Sequence, residues 1–333
     1  MENIRVMRYA ELDMGDLTII CGDNNAGKTL VTQTIYGFLN FWNTQYRIII
    51  SDEILREFKE VGCYRIKLEE WVQYAPNIIS DACLEYTENL REKLNNENAN
   101  FSLAVSSEEF KVDKSEQAIY VKYENEVSRV IKDTLFCSVC PRVYSLSNVP
   151  AMRTPSTYSG FYVTYNTVVD SFEDMFSSIL SLLQLSRYLK HQARVGDLLI
   201  IEEPELHLHP KNQRKIARLL ASLVNCGLKI LITTHSDYVL REFNHLILLT
   251  GKSPHLKKIV KEKGYKDLEL LTSSQVRLYT AEEGHVLLPN YKRKTKVKTL
   301  VEIPIDDAGI PRSDFDDVIN EMNRITDDIV FGG

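Results

Sequence analysis

This sequence of 333 residues has few cysteines, no long apolar run and no excess of positive charge. Six cysteines spread over such a length do not predict a disulfide framework and indicate a reducing compartment. Cys137 and Cys140 form a C-x-x-C pair, but no second pair and no nearby histidine completes a zinc site, so we interpret it as a buried strand end. No apolar stretch reaches membrane-spanning length, and the first residues lack a signal-peptide pattern. We therefore expect a cytoplasmic protein with no membrane partner.

The net charge argues against a general nucleic-acid coat. It is -6, so any contact with DNA must come from a local basic patch. The best candidate is the run 291–298, where alternation on a strand would place four lysines on one face. These are Lys292, Lys294, Lys296 and Lys298. The alternative is a charged edge strand that resists aggregation.

Apolar periodicity and turn residues divide the chain into alternating strands and helices. Strands are predicted at 4–9, 17–21, 142–146, 198–201, 228–233, 245–249 and 297–303. Helices are predicted at 29–41, 171–191, between Pro210 and Gly227, briefly from Ser236, and in the acidic segment 313–328. A hairpin is predicted to turn near Glu283 and Gly284, and 45–98 is predicted as a helical insertion, clearest at 52–61 and 80–94. This order indicates an α/β fold, a sheet flanked by helices.

Residues 22–29 read Gly-Asp-Asn-Asn-Ala-Gly-Lys-Thr, between a predicted strand and a predicted helix. In such a P-loop, backbone N–H groups bind phosphate oxygens and the helix N-terminus adds its positive dipole. Lys28 would reach the β- and γ-phosphates, and the Thr29 hydroxyl would ligate Mg²⁺. The predicted ATP-binding residues are Gly22, Asn24, Asn25, Ala26, Gly27, Lys28 and Thr29.

Two later segments each end an apolar strand in polar residues. Glu202 and Glu203 end the run 198–201, and adjacent strand residues face opposite ways, so the two carboxylates should differ in role. One would hold Mg²⁺ through water, and the other would orient and deprotonate the attacking water. His235 ends the next strand and would reach the same γ-phosphate. The alternatives are an exposed acidic turn and a structural histidine.

The order of these motifs resembles the ABC-type ATPase head of OLD-family nucleases and related bacterial defence ATPases, often labelled AAA-type. The wording at 203–210, Glu-Pro-Glu-Leu-His-Leu-His-Pro, is characteristic of that branch, and the resemblance covers about 17–43 and 142–333. It implies an ABC-type P-loop NTPase head with a mixed sheet core, formed as a single domain over 1–333. Residues 45–98 would be its helical insertion, and 252–333 would complete it with a hairpin, a strand and an acidic helix.

The resemblance also assigns roles residue by residue. Glu202 occupies the Walker B position, with glutamate in place of the commoner aspartate, and Glu203 matches the catalytic glutamate. His235 matches the switch histidine, and His209 falls where transporters carry the D-loop acid. Arg153 resembles a residue of a loop near the nucleotide, with a solvated loop charge as the alternative.

The family's heads pack head to tail, with ATP between the P-loop of one copy and a Ser-Gly signature of the other. Here the matching helix begins at 176–181 with serines and has Ile179 but no glycine. Hydrolysis is therefore expected to be slow, and ATP binding is the firmer prediction.

Family members often carry a Toprim nuclease after the ATPase, and the sequence ends soon after the acidic helix. The resemblance then implies a separate nuclease or Toprim-type effector and a phage-derived trigger, as in two-gene systems such as PARIS and Septu. Two alternatives stay open. One is a DNA-repair ATPase like the RecF or SMC heads, which clamps DNA, and the other is a non-catalytic scaffold that only senses ATP.

Overall fold

The computed structural model describes residues 1–48, 52–62, 64–66, 74–103, 119–121, 143–145, 169, 172, 182–288 and 291–311. Its strands are β1 (Glu2–Ile4), β2 (Met7–Tyr9), β3 (Leu17–Cys21), β4 (Tyr64–Ile66), β5 (Ile119–Val121), β6 (Val143–Ser145), β7 (Leu198–Glu202), β8 (Lys229–Thr233), β9 (Val276–Val286) and β10 (Thr295–Ile303). Its helices are α1 (Lys28–Thr44), α2 (Asp52–Val61), α3 (Ala75–Leu94), α4 (Leu183–His191), α5 (Pro210–Asn225), α6 (Asp237–Leu248) and α7 (Pro254–Lys263).

A mixed sheet forms the centre of the described chain. Its strand order is β1-β2-β10-β9-β3-β8-β7-β6. Strand β3 pairs in parallel with β8 and β9, and β7 pairs in parallel with β8 and β6. Strands β1 and β2, and β9 and β10, pair antiparallel. The predicted α/β class with a mixed sheet flanked by helices is confirmed.

Helices cover both faces of this sheet. In β8, Leu231 belongs to a core cluster with α1 and α3, whereas Ile230 and Ile232 belong to a second cluster with α4, α5 and α6. Because both faces are buried, the strands of the parallel half read as unbroken apolar runs. The same burial makes them recognisable in the sequence.

Two of the predicted helix ends are confirmed. Pro210 is the first residue of α5, where its missing N–H costs no helical hydrogen bond. Gly227 follows that helix with φ 91°, a conformation that glycine adopts without strain.

Two predicted strands are wrong. Residues 4–9 are not one strand, because Arg5 turns the chain with φ 51° between β1 and β2. The apolar run 245–249 continues helix α6 instead of forming a strand, because it extends the buried helical stripe that starts at Val239 and includes Phe243. A short apolar run cannot by itself distinguish a strand from a buried helix segment.

The predicted hairpin turn is also misplaced. Glu283 and Gly284 lie inside β9, opposite Lys298 and Val297 of β10, and the chain reverses after Val286. A Cβ on Gly284 would lie 2.7 Å from a methyl carbon of Thr299. The glycine therefore permits close cross-strand packing and does not mark a turn.

The segment 45–98 contains more than helices. Helices α2 and α3 lie where helices were predicted, with α3 starting five residues earlier than the predicted residue 80. Strand β4 lies between them and pairs with β5 in a separate small sheet, which the prediction did not include. Helix α3 packs on α1, where the Tyr86 hydroxyl donates a hydrogen bond of 2.9 Å to the carbonyl of Thr34.

Several predicted features lie outside the described residues. These are Arg153, the serine-rich segment 176–181, the C-x-x-C pair at 137–140 and the acidic segment 313–328. Of the predicted helix 171–191, the part from Leu183 to His191 is observed as α4. In the described part of the chain, no helix is long and apolar enough to cross a membrane.

Candidate nucleotide-binding site

The predicted P-loop connects the buried strand β3 to helix α1. Gly22 and Gly27 bracket the loop with φ 127° and 103°, and Asn25 also has positive φ. A Cβ on Gly22 would lie 2.7 Å from the Ala281 carbonyl oxygen, and one on Gly27 would lie 2.9 Å from a methyl carbon of Met7. Both glycines are therefore required by conformation and by close packing.

The loop presents the groups that bind phosphate. Gly27 gives α1 no side-chain cap, so no side chain competes with an anion for the amides at the start of this helix. The Lys28 ammonium donates to the carbonyls of Gly22 and Asp23 at 2.7 and 2.8 Å, lying across the loop. Thr29 is exposed in the first turn of α1. A bound triphosphate would replace the two carbonyls as the partner of Lys28.

Three neighbouring parallel strands end at the same edge of the sheet as this loop. Strand β8 lies between β3 and β7. Past the strand ends, the Thr234 amide donates to the Ile20 carbonyl at 3.0 Å, and the Glu203 amide donates to the Thr233 carbonyl at 2.9 Å. The prediction that the His235 strand lies beside the strand of Glu202 and Glu203 is confirmed. Ligands of open α/β sheets bind at such carboxyl ends.

Glu203 and His235 are close enough to act on one substrate group. The Oε1 atom of Glu203 lies 3.4 Å from Nδ1 of His235, and the two side chains are 30% and 45% exposed. Glu203 has φ 47°, unusual for a residue with a side chain, and its amide is held by the carbonyl and hydroxyl of Thr233. Strained backbone of this kind is concentrated at functional sites.

Glu202 faces a different partner from Glu203. It is the exposed last residue of β7, and its Oε1 accepts a hydrogen bond of 2.7 Å from the hydroxyl of Thr32 on α1. Thr32 lies three residues after Thr29, on the same side of the helix. The carboxylate of Glu202 is thus held beside the helix turn that carries the predicted metal ligand Thr29.

Glu205 is a site residue that the sequence reasoning missed. It is 3% exposed, and its Oε1 accepts hydrogen bonds from the Thr234 hydroxyl at 2.6 Å and the His235 amide at 3.2 Å. The same oxygen lies 3.8 Å from Nδ1 of His235. Oε2 of Glu205 is buried and has no hydrogen-bond partner among the described residues. The sequence signal that could have identified Glu205 is its place as the second glutamate of the Glu-Pro-Glu motif at the end of β7.

Gln213 joins the segments that carry the two polar strand ends. Its amide nitrogen donates to the Leu208 carbonyl at 2.9 Å, and its amide oxygen accepts from the Ser236 hydroxyl at 2.5 Å. Ser236 also caps α6. His209 caps α5 by accepting from the Lys211 amide at 3.3 Å, so the structure shows it in a local structural contact. The role taken from the family for His209 stays a prediction.

The basic run 291–298 lies partly beside the P-loop. Lys296 and Lys298 are two residues apart in β10 and share a face, but Lys292 and Lys294 precede the strand, so the predicted face of four lysines is wrong. Lys296 pairs with Glu283 at 2.9 Å. The Lys298 ammonium donates to the Asn25 carbonyl at 3.4 Å, which links the run to the P-loop.

The residues of this edge suit Mg²⁺ bound together with a nucleotide. Mg²⁺ keeps several waters and is held by one or two protein oxygens plus substrate phosphates. Thr29 and Glu202 supply a hydroxyl and a carboxylate on neighbouring elements. Among the described residues no group of three or more His, Cys, Asp or Glu is placed to hold a metal. The arrangement fits a cation that arrives with phosphate oxygens.

Comparisons with known proteins agree with this geometry. A profile described as "AAA_15: AAA ATPase domain" matches residues 174–240, which include Glu202, Glu203, Glu205 and His235 but not the P-loop. UvrABC system protein A of Thermus thermophilus is 24% identical over 107 residues, which is 32% of this chain. The matched part spans 11% of that relative's length. Together with the sheet and the P-loop, the matches support an ATPase domain of the AAA/ABC type.

Proposed function

We propose that the protein binds ATP with Mg²⁺ and hydrolyses it slowly at the edge formed by β3, β8 and β7. The observation that carries this proposal is the convergence of three polar strand ends, with Glu203 and His235 3.4 Å apart beside the P-loop strand. The amides of α1 and the Lys28 ammonium bind the phosphates, and the Thr29 hydroxyl and Glu202 hold Mg²⁺. When bound, Mg²⁺ neutralises charge that develops on the phosphate oxygens.

Glu203 and His235 carry out the hydrolysis step. Glu203 accepts a proton from water as the water oxygen attacks the γ-phosphorus, and the bond from that phosphorus to the bridging oxygen of ADP breaks. His235 directs its other ring nitrogen, Nε2, toward the γ-phosphate while Nδ1 faces Glu203. Glu205 accepts a hydrogen bond from the His235 amide and thereby fixes the backbone position from which the imidazole ring extends.

ATP state then sets assembly, in a cytoplasmic defence system against phage. Two copies pack head to tail around ATP, and the assembly holds a separate nuclease or Toprim-type effector until a phage-derived trigger or hydrolysis releases it. Support comes from the resemblance of 203–210 to defence ATPases and from a site poised at an exposed sheet edge. Arg153 remains a candidate contact to the nucleotide from outside the described residues.

Purification with the product of the neighbouring gene tests this assembly. We expect co-elution that depends on ATP and is lost in Lys28→Ala, because that change removes the phosphate-binding ammonium. Lys258→Ala, on an exposed helix, serves as the control. If the protein elutes alone in every nucleotide state, the proposed scaffold role is wrong.

A second candidate is an ATPase that clamps DNA directly. It is favoured by the exposed cations at 292–294 and by the contact of Lys298 with the P-loop. ATP-dependent binding to bare duplex, weakened by salt and by replacing residues 292–294 with glutamine, would support this alternative. DNA binding that depends neither on ATP nor on the cations at 292–294 would contradict this second candidate function.

A further inference from the structure

The buried hydroxyl of Thr32 connects the P-loop helix to the strand that ends in Glu202. Thr32 is 1% exposed, and its Oγ1 lies 2.7 Å from Oε1 of Glu202 and 3.0 Å from the carbonyl of Thr29. A hydroxyl has one hydrogen, and donation to an ionised carboxylate is shorter and stronger than donation to an amide carbonyl. We therefore assign the hydrogen to Glu202.

This hydrogen bond solves a positional problem at Glu202. A glutamate at an exposed strand end has three side-chain torsions, and fixing them opposes rotamer entropy. Thr32 is fixed in the core by α1 and is β-branched, so its own χ1 is restricted. A rigid donor thus anchors a flexible acceptor.

The anchor also divides the two carboxylate oxygens of Glu202. Oε1 is occupied by Thr32, which leaves Oε2 for a cation-bound water. Thr29 lies one turn before Thr32 on the same side of α1. The two predicted metal-binding groups, the Thr29 hydroxyl and the Glu202 carboxylate, are therefore both positioned by the same turn of α1. Hydrogen bonds that orient a ligand in this way raise metal affinity.

We propose that Thr32 is a positioning residue that sets how strongly Mg²⁺ strengthens nucleotide binding. The proposal rests on the function proposed above, since it requires that nucleotide binds at the P-loop. It goes further by naming a residue of α1 outside the P-loop motif that controls the metal side of the site.

The chain offers a matched control two residues away. Thr34 is 5% exposed on the same helix, and its hydroxyl donates at 2.7 Å to the Leu30 carbonyl within α1. Replacing either threonine by valine removes a buried hydroxyl at nearly constant volume. Only Thr32→Val removes a bond to Glu202.

The test measures the dissociation constant of a fluorescent ATP analogue in Mg²⁺ and in EDTA. We expect Thr32→Val to weaken binding about tenfold or more in Mg²⁺ and to leave binding in EDTA unchanged. Thr32→Ser, which keeps the hydroxyl, should restore the Mg²⁺ effect, and Thr34→Val should match the unaltered protein. Raising the Mg²⁺ concentration should also restore turnover of Thr32→Val.

Two results would overturn the proposal. One is equal behaviour of Thr32→Val and Thr34→Val, and the other is an equal loss of affinity with and without Mg²⁺, which indicates a role in packing alone. Thermal unfolding of each variant shows whether it is folded, and Thr32→Ser provides the test if Thr32→Val is not. If the unaltered protein binds no ATP in either condition, the proposed function itself fails.

Discussion

Two regions of the molecule bury carboxylates in different ways. Between α5, α6 and the short turn Asp267–Glu269, Glu242 and Glu269 each contact an arginine at 2.6 Å. At the nucleotide edge, Glu205 is equally buried but is bound by a hydroxyl and a backbone amide. Glu205 and Glu242 each have one oxygen without a hydrogen-bond partner among the described residues, so the regions differ in the kind of donor that binds the carboxylate. A buried carboxylate paired with arginine contributes to holding elements together, whereas one bound by neutral donors beside a histidine at converging strand ends indicates a functional site.

Removing a partner in the paired region should give the largest change in stability. Arg218 packs over the ring of Tyr265 at 4.4 Å and pairs with Glu269, which is 2% exposed. Arg218→Met keeps much of the side-chain volume but leaves Glu269 without its cation. We expect the free energy of unfolding to fall by about 3 kcal/mol, measured in urea.

The control for that change is an exposed ion pair. Lys258 and Glu262 lie 3.7 Å apart on α7 and are both exposed, so Lys258→Met should change stability by less than about 0.5 kcal/mol. ATP affinity of the folded Arg218→Met protein should be unchanged. A loss of affinity without a loss of stability would erase the distinction between the two regions.

Changing Glu205 should affect turnover more than stability. Glu205→Gln keeps an oxygen that accepts from Thr234 and the His235 amide, but it removes the charge beside His235. We expect kcat to fall about tenfold with KM nearly constant, because His235 is presented less well to the transition state. Steady-state kinetics measures this, and Glu269→Gln is the matched change in the paired region. Equal kinetic effects from both variants would contradict the comparison.

The smallest effect concerns acid pH. Burial opposes ionisation of Glu242, but hydrogen bonds from His245 and Arg214 outweigh it and lower the pKa of Glu242, with Tyr265 as a further neighbour. A folded-state pKa below the unfolded value contributes stability that is full above the unfolded pKa, about 4.3, and is lost as pH falls through the folded pKa. In Glu242→Gln, the free energy of unfolding should therefore decline less steeply below about pH 4. Urea unfolding at a series of pH values measures this slope. An unchanged slope would show that Glu242 does not contribute.

The strand ends were accessible from the sequence because each motif follows an apolar run. Parallel strands buried on both faces are recognisable as unbroken apolar runs, and their carboxyl ends meet at one edge of the sheet. The P-loop, the acids at the end of β7 and His235 therefore came together as predicted. The end of α6 was misread because its apolar residues fit either period.

The connections within the site were not accessible in this way. The bond from Thr32 to Glu202 depends on which face of α1 meets β7, and the bonds of Glu205 depend on the turn after Glu203. Lys298 joins the P-loop only because β9 and β10 extend the sheet beyond β3. Such contacts are set by how the elements pack on one another, which residue patterns do not encode one by one.

We propose that this sheet edge hydrolyses ATP with Glu203 as the base. The most direct measurement is phosphate release by the unaltered protein and by Glu203→Gln, together with ATP affinity. We expect slow turnover in the unaltered protein, a loss of about 10²–10⁴-fold in Glu203→Gln, and retained ATP binding. Turnover that persists in Glu203→Gln would contradict the account.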